Sequence, residues 1–313
     1  MPNPSYVVIT PVRDEEEHLS ATIDSMIRQT ITPHAWVIVD DGSSDQTASV
    51  AERAAQSVPW IHVIRRANRG FRQPGTGVIA AFTEGYGRVA AQNWDFLVKL
   101  DGDLSFDPDY FEQCFDRFAE DQKLGVGGGT ICQRAAAELV SEAPGDPLFH
   151  VRGATKIYKR ECWQAIGGLM QAPGWDTVDE YKANMLGWKT YTFREIKLLH
   201  HRHAGGAEGT WKNWVKNGVA NYVAGYHPLF MACKCAKRVA HKPYLMAAAG
   251  LLTGYLGAWV RGVPKVDDHE LIRYVRRQQL RRLFFRTSLW DVNAETTVVG
   301  VKRPAVSMAP TKA

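Results

Sequence analysis

Two carboxylates one residue apart, Asp101 and Asp103, close the apolar run Leu97-Val-Lys-Leu100. In an extended segment residues i and i+2 point the same way, and Gly102 lets the backbone bend between them, so both acids can converge beyond the strand. Convergent carboxylates hold a hard cation. Mg²⁺ keeps several waters and is bound by one or two carboxylates together with substrate phosphates, so a short acidic pair without a cage suits a metal-diphosphate site. Turn chemistry or helix capping is the bland account of the same pair. Other polar groups also gather where apolar runs end: Pro11-Val-Arg-Asp-Glu-Glu-Glu17 after Tyr6–Thr10, Asp40-Asp-Gly-Ser-Ser-Asp45 after Trp36–Val39, and His200-His-Arg-His203 after Lys197–Leu199.

The elements that must position these groups alternate. A helix with Leu19, Ile23, Met26 and Ile27 on one face follows the first strand, with Asp14 to Glu17 expected in its first turn, where the helix dipole favours acids. Asp45 is placed to cap the next helix. A strand over 60–64, a helix over about 78–91 and the strand ending at Asp101 come next. Four strand-helix alternations predict an α/β fold, a mostly parallel sheet with helices on both faces and ligands beyond the carboxyl ends of the strands. Asp107-Pro108 reads as the start of a helix whose buried stripe is Phe111, Cys114, Phe115 and Phe118. The glycines of Gly127-Gly-Gly-Thr-Ile131 lack the Lys-Ser/Thr of a phosphate loop and read as strand. Residues 133–150 read as a long surface loop, 153–158 as strand, Arg160 to Ile166 as a short helix stopped by Gly167-Gly168, and Gly174 to Glu180 as the opening of another helix.

At 313 residues, 45% hydrophobic and 23% charged, the composition is globular. The net charge of +5 is mild and concentrates after residue 234, which makes no case for nucleic acid. An apolar strand begins within the first six residues, so no secretion signal is expected there. Five cysteines without repeating spacing fit reduced thiols in a cytosolic compartment, and Cys233-x-Cys235 is at most half a zinc site.

Over roughly residues 5–205 the chain resembles the inverting family 2 glycosyltransferases with the GT-A (Rossmann-like) fold. The resemblance rests on Thr10-Pro-Val-Arg-Asp-Glu, the Asp40-Asp-Gly-Ser-Ser-Asp loop, Asp101-Gly-Asp103, and Trp175-Asp followed by Gly187-Trp with His200 beyond. It implies inverting transfer of a sugar from a nucleotide diphosphate to an acceptor hydroxyl with Mg²⁺ or Mn²⁺. By position it implies that Pro11, Arg13 and Glu15 flank the nucleotide, that Asp41 contacts the base with Asp40 beside it, and that Asp101 lies by the ribose and metal. Asp103 becomes the main metal ligand, and His200 completes the shell or touches the diphosphate, with His201 the alternative by one register and His203 a third. Asp176 falls on the position of the catalytic base, with Trp175 in place of the usual glutamate. Glu180 or Asp179 is the rival base. Arg69 and Arg72 are placed to meet the diphosphate, although Gly70-Phe-Arg-Gln-Pro-Gly75 departs from the family pattern.

Expected partners are a nucleotide-diphosphate sugar, a UDP-sugar first, and a lipid-linked or saccharide acceptor in bacterial polysaccharide or glycolipid synthesis. The expected organisation is a catalytic domain over 1–205, a helical region over 206–290 and a tail over 291–313. Tyr244 to Val260 is charge-free and about 26 Å long as a helix, short of a bilayer core of about 30 Å, with Lys237, Arg238, Lys242, Arg261 and Lys265 around it. That pattern suits a surface-lying or re-entrant segment as well as a span, and Gly250-x-x-x-Gly254 permits close helix packing. The location expected is the cytoplasm, at or anchored in the inner face of the cytoplasmic membrane; a buried helix of a soluble domain is the alternative. Two other functions compete: a sugar-nucleotide-forming nucleotidyltransferase, which needs a glycine-rich basic first loop that this chain lacks, and a non-catalytic basic membrane-surface adaptor resting on residues 234–286.

Overall fold

The computed structural model describes residues 3–71, 76–136, 138–202, 210–239 and 244–291. Strands β1 (Tyr6–Val12), β2 (Ala35–Asp40), β3 (Ile61–Arg65) and β4 (Phe96–Leu100) are parallel, joined by helices α1 (Leu19–Ile27), α2 (Thr47–Ser57) and α3 (Thr76–Val89). After β4 the chain adds β5 (Leu104–Phe106), α4 (Tyr110–Glu120), β6 (Leu124–Ala135), β7 (Glu138–Ser141), β8 (Thr155–Lys159), α5 (Arg160–Ile166), α6 (Trp175–Met185) and β9 (Lys189–His200). The sheet runs β3-β2-β1-β4-β8-β6-β9-β5, with β7 paired to β6. It is mostly parallel; β8 enters antiparallel beside β4, and β5 antiparallel beside β9. Strand alternation sorts β1 between two cores. Tyr6 and Val8 join the cluster under α1 and α4, while Val7 and Ile9 join the one under α3 and α5.

Several local expectations shift for physical reasons. Asp14 to Glu17 lie in the loop before α1, where Asp14 adopts φ 54°, so they serve the loop and not a helix dipole. Asp45 does accept from the Thr47 N–H at 3.0 Å and the Thr47 hydroxyl at 2.5 Å, tying down the start of α2. The expected 133–150 loop is largely a hairpin, because β6 runs on to Ala135 and turns back as β7. The strand read at 197–199 is the end of a twelve-residue β9, which follows β6 in parallel through two register shifts that disguise its period.

The C-terminal helices are α7 (Thr210–Val223), α8 (Pro228–Val239), α9 (Tyr244–Val260) and α10 (His269–Leu283). They share a third apolar cluster with Phe149 and with Val178 and Tyr181 of α6, so this region is built onto the sheet domain. Helices α7 and α9 cross backbone to backbone. A Cβ at Gly254 would stand 2.0 Å from the Val215 carbonyl oxygen, and one at Gly218 2.2 Å from that of Leu251. Among the described residues no helix is long and apolar enough to cross a membrane. Cys233 is exposed and Cys235 buried on α8, and the described cysteines are all free.

Candidate active site

Residues 101–103 leave β4 at the sheet rim, and the end of β9 arrives beside them. The His201 N–H donates to the Asp103 carbonyl at 2.9 Å, which turns His200 inward: its Nε2 lies 3.2 Å from Asp103 Oδ2 and its Nδ1 2.8 Å from Glu142 Oε1. Of the two described histidines of this run, His200 is the one beside Asp103. His201 instead meets the Ser105 hydroxyl at 2.7 Å and stacks on His18, and His203 lies outside the described residues. Burial alone would lower His200, but the carboxylates on both ring nitrogens outweigh it and raise it to about 10. Burial would likewise raise Asp103; the His200 hydrogen bond and charge overcome it and hold the carboxyl below its usual range.

Among the described residues Asp103 Oδ1 is buried without a hydrogen-bond partner. Such an orphan costs free energy, and a divalent cation is a partner that fits it. Among the described residues no group of three or more potential ligands gathers, so the protein offers an open partial shell of one carboxylate and the His200 ring, which would have to give up its Nε2 proton to ligate. That suits a cation completed by water and diphosphate. Glu142, orienting His200 from the β6–β7 hairpin, is the carboxylate partner such an imidazole requires. Asp101 departs from the expected convergence. Its carboxylate pairs with Lys99, a lysine buried inside β4 that also donates to the Gly153 carbonyl at 2.5 Å. Burial, reinforced by the charge of Asp103, raises Asp101 despite that pairing.

The first two loops brace each other. Pro11 sits in β1 past the last pairing with β4, where its missing N–H is not needed. Arg13 donates to the Asp41 carbonyl at 2.8 Å and to Asn68 Oδ1 at 3.0 Å. Glu15 receives the Arg202 guanidinium at 2.9 Å, which fastens the first loop to the end of β9. Asp40 closes its own turn by accepting from the Ser43 N–H at 2.9 Å. Asp41 is held by Arg66 and by a two-pronged contact from Arg69 at 2.6 and 2.5 Å. The Arg69 guanidinium, expected at the diphosphate, faces Asp41 here, and a group reaching Asp41 would have to displace it. Arg72 lies outside the described residues.

Across Gly153 lies the start of α6. A Cβ on Gly153 would stand 3.4 Å from that of Asp176, so Asp176 neighbours the residue whose carbonyl binds Lys99. The Asp176 carbonyl accepts from Lys156 at 2.5 Å, and among the described residues its carboxylate makes no hydrogen bond or ion pair. Its rivals are fully engaged. Asp179 takes Lys156 at 2.9 Å on each oxygen and the Tyr158 hydroxyl at 2.6 Å; Glu180 takes the Val151 N–H at 2.7 Å, His150 at 2.8 Å and Lys156 at 2.8 Å. Both acids and Lys156 are buried, and together they form one ion-paired network under α6. Burial beside Glu180 raises Asp179 to about 6, and Glu180 with Asp176 lifts His150 to about 9 against its own burial. Trp175 places its ring 5.6 Å from both Lys99 and Lys156, a cation-π contact where the family pattern has a carboxylate.

Sequence reasoning missed Lys99, Glu142, His150, Lys156 and Arg202. A lysine inside an otherwise apolar strand was the visible signal for Lys99; nothing local marks the others.

Residues 7–137 match the model of Glycosyl transferase family 2. Over 180 residues the chain is 27% identical to the polyprenol monophosphomannose synthase of Mycolicibacterium smegmatis, covering 53% of this chain and 65% of that one. It is 35% identical over 106 residues to the undecaprenyl-phosphate 4-deoxy-4-formamido-L-arabinose transferase of Pectobacterium carotovorum, covering 33% of this chain and 30% of that one. In both cases the match spans less than two thirds of the relative. The mannosyltransferase of Pyrobaculum calidifontis, solved with GDP-Man and Mn²⁺, shares the fold with a TM-score of 0.53 at 17% identity, covering 90% of this chain and 81% of that one.

Proposed function

Since residues 7–137 match the model of glycosyl transferase family 2 and the chain carries the GT-A fold, we propose that it moves a sugar from a nucleoside diphosphate to an acceptor hydroxyl with inversion. The observation that carries this reading is that, among the described residues, one Asp103 oxygen and the Asp176 carboxylate both lack partners, Asp103 beside Asp101 and Asp176 beside Gly153, the two joined through Lys99. They have different tasks. Asp103 and His200 would hold Mg²⁺ or Mn²⁺, which would neutralise charge on the departing diphosphate. Asp176 takes the proton of the acceptor hydroxyl as that oxygen bonds to the anomeric carbon; the bond from that carbon to the diphosphate breaks, and its electron pair leaves with the nucleotide. Attack opposite to departure inverts the centre. The Lys156 network fixes the first turn of α6, so the base is held without its carboxylate being consumed.

The acceptor class we propose is a lipid-linked or saccharide hydroxyl, in polysaccharide or glycolipid synthesis; the two curated relatives act, by name, on polyprenol and undecaprenyl phosphate. A panel of nucleotide sugars, each with Mg²⁺ or Mn²⁺, identifies the donor, with UDP-sugars tried first. With it, Asp176→Asn should retain donor and metal binding while losing transfer by about 10²-fold or more, the scale of a general base. Asp103→Asn should lose metal binding first. A product of retained anomeric configuration, or a near-normal rate for Asp176→Asn, overturns the mechanism.

A further inference from the structure

Helix α9 is apolar all round, yet only half of it is covered. Ala247, Ala248, Gly250, Leu251, Gly254, Tyr255 and Ala258 face the protein. On the opposite side Leu245, Ala249, Leu252, Leu256 and Trp259 follow one another at i, i+4, i+7, i+11 and i+14, a single stripe. Leu245 is 68% exposed, Trp259 64% and Val260 80%. The inward half is built mostly of Ala and Gly around Leu251 and Tyr255, while Leu245, Leu252, Leu256 and Trp259 stand outward.

We propose that this outward half of α9 is a membrane-docking surface, seated flat in the headgroup boundary of an anionic lipid layer. Three features select lipid over a protein partner. The glycines that admit close helix contact are spent inward on α7, so the outward face has no groove for a second helix. Aromatic side chains stand near both ends, with Tyr244 and Trp259 exposed, where amphipathic rings favour the boundary between headgroup and acyl chain. Cations surround it: Lys237 and Arg238 close α8 and Arg261 follows α9 directly, the complement of an anionic surface. A length of about 26 Å, with half the circumference already packed on protein, makes it lie along the surface and not cross it.

The test is sedimentation of the full chain with vesicles of phosphatidylcholine alone or mixed with phosphatidylglycerol. Wild type should bind the mixed vesicles more tightly than the neutral ones. The double variant Leu252→Glu/Leu256→Glu should lose more than about tenfold in binding, and Arg261→Gln about fivefold on mixed vesicles alone. Both leucines are surface residues, and Trp259→Ser provides a neutral second probe that should also weaken binding with unchanged melting temperature. The proposal is overturned if wild type stays in solution with both vesicles, or if the variants bind like wild type. It is equally overturned if the chain is a dimer that Leu252→Glu/Leu256→Glu converts to monomer, since a second copy would then be the occupant.

Discussion

Lys156→Met should be among the most damaging single substitutions outside the cation site. The side chain is 0% exposed and ties Asp179, Glu180 and the Asp176 carbonyl to one ammonium. With His150 protonated the cluster is neutral, two positive groups against two negative; deleting Lys156 leaves one buried negative charge. Breaking a buried pair in this way costs about 3–5 kcal/mol. For a chain of this size each kcal/mol lowers Tm by about 2–4 °C, so a fall of roughly 6–20 °C is expected at pH 8. The deficit should shrink at pH 5, because Asp179, raised to about 6 already in the wild type, is protonated there and the residual Glu180 and His150 balance. Adding Asp179→Asn to Lys156→Met should restore part of the loss at pH 8 by the same bookkeeping. Differential scanning calorimetry of the three proteins at both pH values reads this out. A Tm loss below about 3 °C at pH 8, or one that persists undiminished at pH 5, would refute the charge account.

Other expectations follow from the same geometry. Glu142→Ala should weaken Mn²⁺ binding about 10–100-fold by freeing the His200 ring, measured by electron paramagnetic resonance in the presence of a nucleoside diphosphate; unchanged affinity would show that Glu142 has no orienting role. Gly254→Ala drives a methyl into the Val215 carbonyl and should cost about 1–3 kcal/mol of stability, whereas Gly257→Ala, whose nearest neighbour would be the Arg261 guanidinium at 3.7 Å, should be neutral or slightly stabilising. His150, raised to about 9 in the fold from 6.5, supports stability fully below pH 6.5 and loses that support as pH rises through 9. Wild-type Tm should therefore fall across pH 6.5–9, and His150→Gln should flatten the fall.

The rim was legible because strand ends announce themselves: apolar runs stop, and acids, glycines and histidines follow. The turn glycines were equally plain, with Gly167, Gly168, Gly174 and Gly187 all at positive φ. What holds the rim together was not legible, since each brace joins residues distant in sequence, as Arg202 does to Glu15 and Glu142 to His200. Asp179 and Glu180 illustrate the difficulty. They sit on the same helix as Asp176 and carry the same chemistry, and only the lysine of another strand, Lys156, turns them from possible bases into a counter-charge. The two-sidedness of α9 was present in the sequence, as small residues at helical spacing inside an apolar run, but a hydropathy reading weights Ala and Leu alike and hides it.

The pairing of Asp103 with His200 joins residues 97 apart, and it also has a meaning in time. Strands β1 to β4 pair through short crossovers and can form early, but β5 finds a neighbour only when β9 has been made. At synthesis rates of about 5–20 residues per second, Asp103 waits roughly 5–20 s for its imidazole. Loop closure over that distance makes this contact a late event on refolding as well. A nascent chain thus completes its first two loops before Asp103 meets His200, and the two halves of the rim mature in a fixed order, with that pair last.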